Sequence, residues 1–223
     1  MKLETYADRD MMMIDLANQL AGDLESCLLH HDTASFVVPG GTTPGPIFDN
    51  LCAAALDWDR VHVMLSDERW VPEDSPRSNT GLLRARLFQN RAAEAHYVPL
   101  YAEADAPEDA LPDLIAAVER EMPISVLLLG MGADMHTASL FPGADNLAAA
   151  LEPTAPALMA MRAPGAPEPR ITLTASVLAG AMTTHVVITG DEKRAALDAA
   201  QTLSPQEAPI SVVLRNATVH WAP

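Results

Sequence analysis

Apolar and polar positions alternate along the chain in two rhythms. From Met11 to Leu29 apolar residues recur every three or four positions, the spacing of one buried face on an amphipathic helix. Ser35 to Val38 is instead a short β-type run, closed by Pro39-Gly40-Gly41. The two patterns then take turns. Further helices are expected over Pro44 to Leu56, Thr80 to Phe88, Pro107 to Glu121, Ser176 to Ala181 and Asp191 to Gln201. Further strands are expected at Val61 to Leu65, Tyr97 to Leu100, Val126 to Leu129, Ile171 to Leu173, Val186 to Thr189 and Ile210 to Leu214. Ser66 to Asn79 reads as irregular. Continuous apolar strands separated by amphipathic helices predict an α/β fold, a mainly parallel sheet flanked by helices on both faces. The Ala- and Pro-rich stretch from Asp145 to Pro169 fits neither rhythm. It is expected to be an insertion, a small subdomain or a flap. With 223 residues, one domain with at most that appendage around 145–169 is expected.

Composition narrows the function. Of the chain, 49% is hydrophobic, yet no apolar run reaches the roughly 18 residues of a membrane span. Met1 to Asp10 lacks the basic-then-apolar order of a secretory signal, so a cytoplasmic location is expected. The formal net charge is −16, which repels the phosphate backbone of nucleic acid. Net charge sets solubility and encounter rate rather than the contents of one pocket. Any of the fourteen Lys and Arg residues that fall beside a motif are therefore informative. Cys27 and Cys52 are expected as buried thiols, and no Cys or His spacing suggests zinc. His30 and His31 close the first helix, where positive charge suits the dipole.

Four glycine-containing or charged loops follow predicted strands, the position where open parallel sheets hold ligands. Phe36-Val-Val-Pro-Gly-Gly-Thr-Thr-Pro-Gly45 reads as strand, tight turn and helix start. Thr42 or Thr43 is expected to cap that helix, with Pro44 in its first turn. Its exposed N–H groups would favour an anion such as phosphate. Ser66-Asp-Glu-Arg-Trp-Val-Pro puts Asp67 and Arg69 at the next strand end, where Arg69 offers a planar fork to phosphate or carboxylate. Leu127-Leu-Leu-Gly-Met-Gly-Ala-Asp-Met-His-Thr-Ala-Ser-Leu-Phe-Pro-Gly143 carries Asp134 and His136 two apart, after Gly130 and Gly132. Imidazole is the side chain suited to proton transfer near neutral pH, and Asp134 is placed to orient the ring or a substrate hydroxyl. Thr189-Gly-Asp-Glu-Lys-Arg puts Lys193 in the first turn of a helix, unfavourable against the dipole unless an anion binds there.

Taken together, these segments resemble the 6-phosphogluconolactonases. Gly130 to Gly143 is similar to that family's Gly-x-Gly-x-Asp-Gly-His-Thr-Ala-Ser-Leu-Phe-Pro-Gly signature. Asp67-Glu-Arg-Trp-Val-Pro with Ser78-Asn-Thr-Gly81, and Arg170-Ile-Thr-Leu-Thr, are similar to two further stretches. The resemblance implies a Rossmann-like three-layer fold and a hydrolase that uses neither metal nor cofactor. It implies His136 as general base beside the acid Asp134. Arg69 and Lys193 become substrate-binding cations, Gly41, Thr42 and Thr43 a phosphate loop with Asp67 nearby, and Arg170 a further basic contact. The partner is then a small sugar-phosphate lactone. The related amino-sugar-phosphate deaminases and isomerases continue their signature as Ile-Ala-Phe-Asn-Glu-Pro. Here Thr137-Ala-Ser-Leu-Phe-Pro142 lacks the glutamate that assists ring opening. A non-catalytic sugar-phosphate sensor is the remaining alternative. One position departs from the signature: Met135 stands where the family has glycine. A positive φ there would strain the residue, and a close backbone approach to the ligand would narrow the pocket.

Overall fold

In the computed structural model, which describes residues 1–223, seven strands form an all-parallel sheet. They are β1 (Lys2–Thr5), β2 (Ala34–Val38), β3 (Val61–Leu65), β5 (His96–Val98), β6 (Val126–Gly130), β9 (Thr183–Thr189) and β10 (Thr218–Ala222). Their order is β1-β10-β9-β6-β2-β3-β5. The chain moves outward through β2, β3 and β5, then returns to the other side of β2 to lay down β6. That reversal makes a topological switch point between β2 and β6, where the loops leaving the two strands diverge and open a crevice.

The central strands are apolar because helices cover both faces of the sheet. All of β2 is buried, as are Val126 to Leu129 of β6. Helix α1 (Arg9–Leu28) starts at Asp8, whose side chain accepts from the Met11 N–H at 2.8 Å. Met12, Leu16, Leu20, Leu24 and Leu28 of α1 repeat at the helical period and pack into the core. The other helices are α2 (Gly45–Leu51), α3 (Asn79–Arg86), α4 (Pro107–Glu119), α5 (Leu147–Ala150), α6 (Ala175–Ala179), α7 (Asp191–Ala200) and α8 (Ser211–Leu214).

A second, antiparallel sheet has the order β4-β8-β7, from β4 (Asp67–Arg69), β8 (Arg170–Leu173) and β7 (Leu158–Met161). It hangs from the carboxyl edge of the first. Ser66 links them: its N–H donates to Val38 O at 2.8 Å, and its carbonyl accepts from the Leu173 N–H at 2.9 Å. The stretch from Asp145 to Pro169 therefore contributes the short helix α5 and the sheet strand β7. The pairing puts Arg69 directly opposite Arg170.

The parallel α/β architecture matches expectation, with four local corrections. Ser211–Leu214 is a short helix, not a strand, because a short apolar run does not distinguish a buried strand from a buried helical turn. The last strand is β10, and β1 was not foreseen, since both sit near the sheet edge with mixed polarity. Ser66 to Asn79 contains β4, whose charged residues conceal a strand. Neither Thr42 nor Thr43 caps α2; its cap position is Pro44, which has no side chain able to accept, and the helix ends at Leu51 rather than Leu56. His30 lies in the turn after α1 with Nδ1 3.0 Å from Ser26 O; Cys52 is buried and Cys27 half-buried.

Candidate functional site

The loops that leave the carboxyl ends of β2, β3, β6 and β9 enclose a cleft of about 210 Å³. Its wall includes Gly41, Thr43, Asp67, Arg69, His136, Arg170 and Lys193. Asp134 reaches it through His136. Thr42 is exposed and stands off the wall.

The loop after β2 is a donor cradle. The backbone N–H groups of Gly41, Thr42 and Thr43 donate no hydrogen bond within the protein. Gly41 has φ +83°, a left-handed conformation that glycine adopts without cost. Beneath it, the amide of Asn79 fills the space a side chain at Gly40 would need: a β-carbon there would stand 2.0 Å from Asn79 Oδ1. Asn79 Nδ2 donates to the Asp67 carbonyl at 3.0 Å, which fixes that amide.

The Asp67-Glu68-Arg69 strand divides its charges. Glu68 is 1% exposed and structural. It accepts from the N–H groups of Arg69, Asn79 and Thr80 at 2.7, 2.8 and 2.7 Å, and from the hydroxyls of Thr80 and Ser78 at 2.8 and 3.2 Å. It thus closes the N-terminus of α3 with a full charge. Tyr97 donates to Thr80 Oγ1 at 2.6 Å, and burial pushes its phenol up to about 12. The carboxylate of Asp67 faces the cleft but accepts from Ser66 Oγ at 2.9 Å and Ser139 Oγ at 2.5 Å. Arg69 donates from Nη1 to the Arg77 carbonyl at 2.6 Å, while its Nε is buried without a partner.

His136 is positioned by its own loop. Asp134 Oδ1 accepts from the backbone N–H of His136 at 3.2 Å and lies 2.5 Å from its Nδ1. A carboxylate accepts, so Nδ1 carries a proton, and in the neutral tautomer this contact selects, the free lone pair is on Nε2. Nε2 makes no hydrogen bond within the protein. Phe141 supports the ring, with centroids 4.2 Å apart. Met135 has φ +65°, so the position does require the left-handed region. Its side chain turns away from the cleft wall and packs against the core, so the pocket is not narrowed.

Arg170, also on the cleft wall, is mostly buried. Its Nη1 lies 3.4 Å from Ser139 Oγ and 3.6 Å from Asp67 Oδ2, and burial lowers its basicity. Its guanidinium carbon stands 5.2 Å from the centroid of Phe141. Lys193, in the first turn of α7, is half-buried and forms no ion pair. It is one of only two lysines in the chain, and the other, Lys2, is paired with Glu4. Ser139, Phe141 and Asn79 were not singled out from the sequence. They lie inside its motifs, but their role depends on contacts between distant segments.

A parallel α/β sheet with an anion-ready cleft at its switch point defines the class as an α/β protein that holds its ligand at the strand ends, and the chain belongs to a known family of that kind: residues 7–221 match the glucosamine-6-phosphate isomerases/6-phosphogluconolactonase family. Several 6-phosphogluconolactonases are among the proteins it is similar to. It is 43% identical over 224 residues to the 6-phosphogluconolactonase of Mesorhizobium japonicum, covering 98% of this chain and 94% of that one. It is 41% identical over 213 residues to that of Pseudomonas aeruginosa, covering 93% and 89%. The crystal structure of a 6-phosphogluconolactonase from Shewanella baltica OS155, 30% identical, superposes with a TM-score of 0.96 over 100% of this chain and 97% of its own. No helix is long and apolar enough to cross a membrane.

Proposed function

We propose that this chain hydrolyses 6-phospho-D-glucono-1,5-lactone to 6-phosphogluconate, a step of the oxidative pentose phosphate pathway in the cytoplasm, with His136 as general base. One observation carries the reading. His136 has Nδ1 held by Asp134 and Nε2 without a protein partner, in a cleft otherwise supplied with cations and unengaged N–H groups. In this reading the N–H groups of Gly41, Thr42 and Thr43, with Lys193 and Arg69, bind the phosphate at C6.

The lactone carbonyl then lies at His136. Nε2 takes a proton from water as the water oxygen bonds to C1, and the carbonyl π electrons move onto oxygen. Collapse of this tetrahedral intermediate breaks the bond from C1 to the ring oxygen. The imidazolium returns its proton to that oxygen, and the new carboxylic acid ionises into solvent. A lactone is an activated ester, so neither a metal nor a covalent nucleophile is needed.

The test is a lactonase assay at fixed pH on freshly made lactone, with the spontaneous rate subtracted. Wild type is expected to turn over. His136→Ala, folded as judged by circular dichroism, is expected to lose at least ~10²-fold in kcat. Near-wild-type turnover by the variant would refute the assignment. Ammonia release from glucosamine 6-phosphate would point to the deaminase branch instead.

A further inference from the structure

We propose that Arg170 is the group that stabilises the negative charge developing on the C1 carbonyl oxygen, and that it then holds the C1 carboxylate of the product. The inference rests on the lactonase reading and gives Arg170 a role distinct from phosphate binding.

Position is the first argument. Arg170 and His136 both lie against Phe141, the guanidinium carbon 5.2 Å and the imidazole centroid 4.2 Å from its ring centre. The cation therefore shares the end of the cleft that holds the base. The loop after β2 and Lys193 flank β6 on either side, because β2 and β9 are the two neighbours of β6 in the sheet. An anion shared by that loop and Lys193 would bridge the strands on either side of β6.

Donor inventory is the second. Attack on C1 creates an oxyanion, which needs donors in place beforehand. The His136 loop engages five of its N–H groups internally, while those of Met131 and Ala138, on the cleft wall, stay free. Gly132 donates to His136 O, Met135 to Gly132 O, and Leu140 to Thr137 O. The N–H of His136 goes to Asp134 and that of Ser139 to Thr172 Oγ1. Arg170 adds a charged donor to the free neutral ones. Its Nη1 is turned to Ser139 and Asp67, which leaves Nε and Nη2 without acceptors, and Nε is fully buried. Of the two, Nη2 keeps accessible surface and is the donor that a ligand oxygen in the cleft can reach.

Electrostatics is the third. A desolvated cation with an unpartnered donor is unfavourable by itself and gains most when an anion forms beside it. Asp67 offsets part of the charge from one side and also fixes the side chain through Ser139. Arg69, directly across the strand pair, adds like-charge repulsion that an anion would relieve.

Two unreactive ligands separate the roles. 6-Phosphogluconate carries the C1 carboxylate; glucitol 6-phosphate has the same skeleton with a hydroxymethyl group there. Calorimetry is expected to show wild type binding the first ~10-fold more tightly. R170Q is expected to erase that preference while leaving glucitol 6-phosphate affinity unchanged, and to lower kcat ~10²- to 10³-fold with KM within ~3-fold. K193Q is expected to weaken both ligands alike. Because Arg170 also neutralises part of Asp67, R170K is made alongside: it keeps the charge and loses the fork. If R170Q does not fold, the ligand preference of R170K decides, and an undiminished preference overturns the proposal. Equal weakening of both ligands by R170Q, or of neither, also overturns it. Absence of lactone hydrolysis by wild type would instead remove the parent reading.

Discussion

Gly132 lies directly beneath the ring of His136. A β-carbon at Gly132 would stand 2.3 Å from His136 Nδ1 and 2.4 Å from Asp134 Oδ1. The space that glycine leaves empty is what lets the loop fold back and the carboxylate meet the imidazole.

The substitution Gly132→Ala is therefore expected to displace the ring while leaving the sheet intact. A shift of about 1 Å in a catalytic group costs roughly 10² in rate. Steady-state kinetics should show that loss in kcat, with KM and thermal midpoint little changed. Unaltered kcat would mean that His136 does not need its observed position.

Met135 tests the opposite case, a residue that departs from its family yet is accommodated. A left-handed φ costs a non-glycine residue about 1–2 kcal/mol. Packing of the partly buried side chain offsets a similar amount. The backbone is also tied down, since the Ile210 N–H donates to Met135 O at 3.1 Å. Met135→Gly is expected to change stability by no more than about 1 kcal/mol and kcat by less than ~3-fold. A tenfold change in kcat would show that the side chain reaches the substrate.

Glu68 is expected to matter for folding more than any other carboxylate near the cleft. Glu68→Gln keeps the shape but turns an amide donor toward N–H groups that need an acceptor. The expected loss is about 2–4 kcal/mol, read as a lower urea midpoint, because buried donors lose their partner. A midpoint within error of wild type would contradict the capping role.

Acid sensitivity is expected to come from a buried histidine outside the cleft lining. His220 is buried, with Nε2 2.9 Å from His185 Nδ1 and Nδ1 2.9 Å from Tyr6 Oη; His185 in turn meets Asp23 at 2.8 Å. Burial, and then the neighbouring His185, push His220 down from 6.5 to about 4. Between those values the unfolded chain takes up a proton that the folded one refuses. Stability therefore falls as pH drops from 6.5 toward 4 and the loss saturates below, at roughly 3 kcal/mol. Glu4, held at about 2 chiefly by Lys2 and Gln19, acts in the same direction below 4.5. Urea midpoints measured from pH 7 to 4 should show the slope, and His220→Gln should flatten it. An equally steep slope in the variant would exclude His220 as its source.

The fold was legible wherever burial is uniform. Val61 to Leu65 and the core of β6 announce themselves because helices cover both faces. The small sheet did not, because Asp67, Glu68 and Arg69 look like a solvated loop until Asn79, Thr80 and Ser139 provide their partners from a distance. The cleft was legible as motifs at strand ends, since each contributing loop carries its chemistry within a few residues. What stayed hidden was contact between loops: Ser139 on Asp67, Phe141 between His136 and Arg170, and Asn79 under Gly40. Ile210 to Leu214 shows a different limit, since four or five apolar residues fit a buried turn of helix as well as a strand.

Strand β1 has one neighbour in the sheet, β10, and β10 is the last element to be formed along the chain. During synthesis, residues 2–5 must therefore wait for nearly the whole polypeptide before their backbone groups are paired. The edge of β9 is exposed for the same interval. A ribosomal product that stops before Thr218 leaves two open strand edges for proteases and chaperones to find, even though every loop of the cleft has already been made.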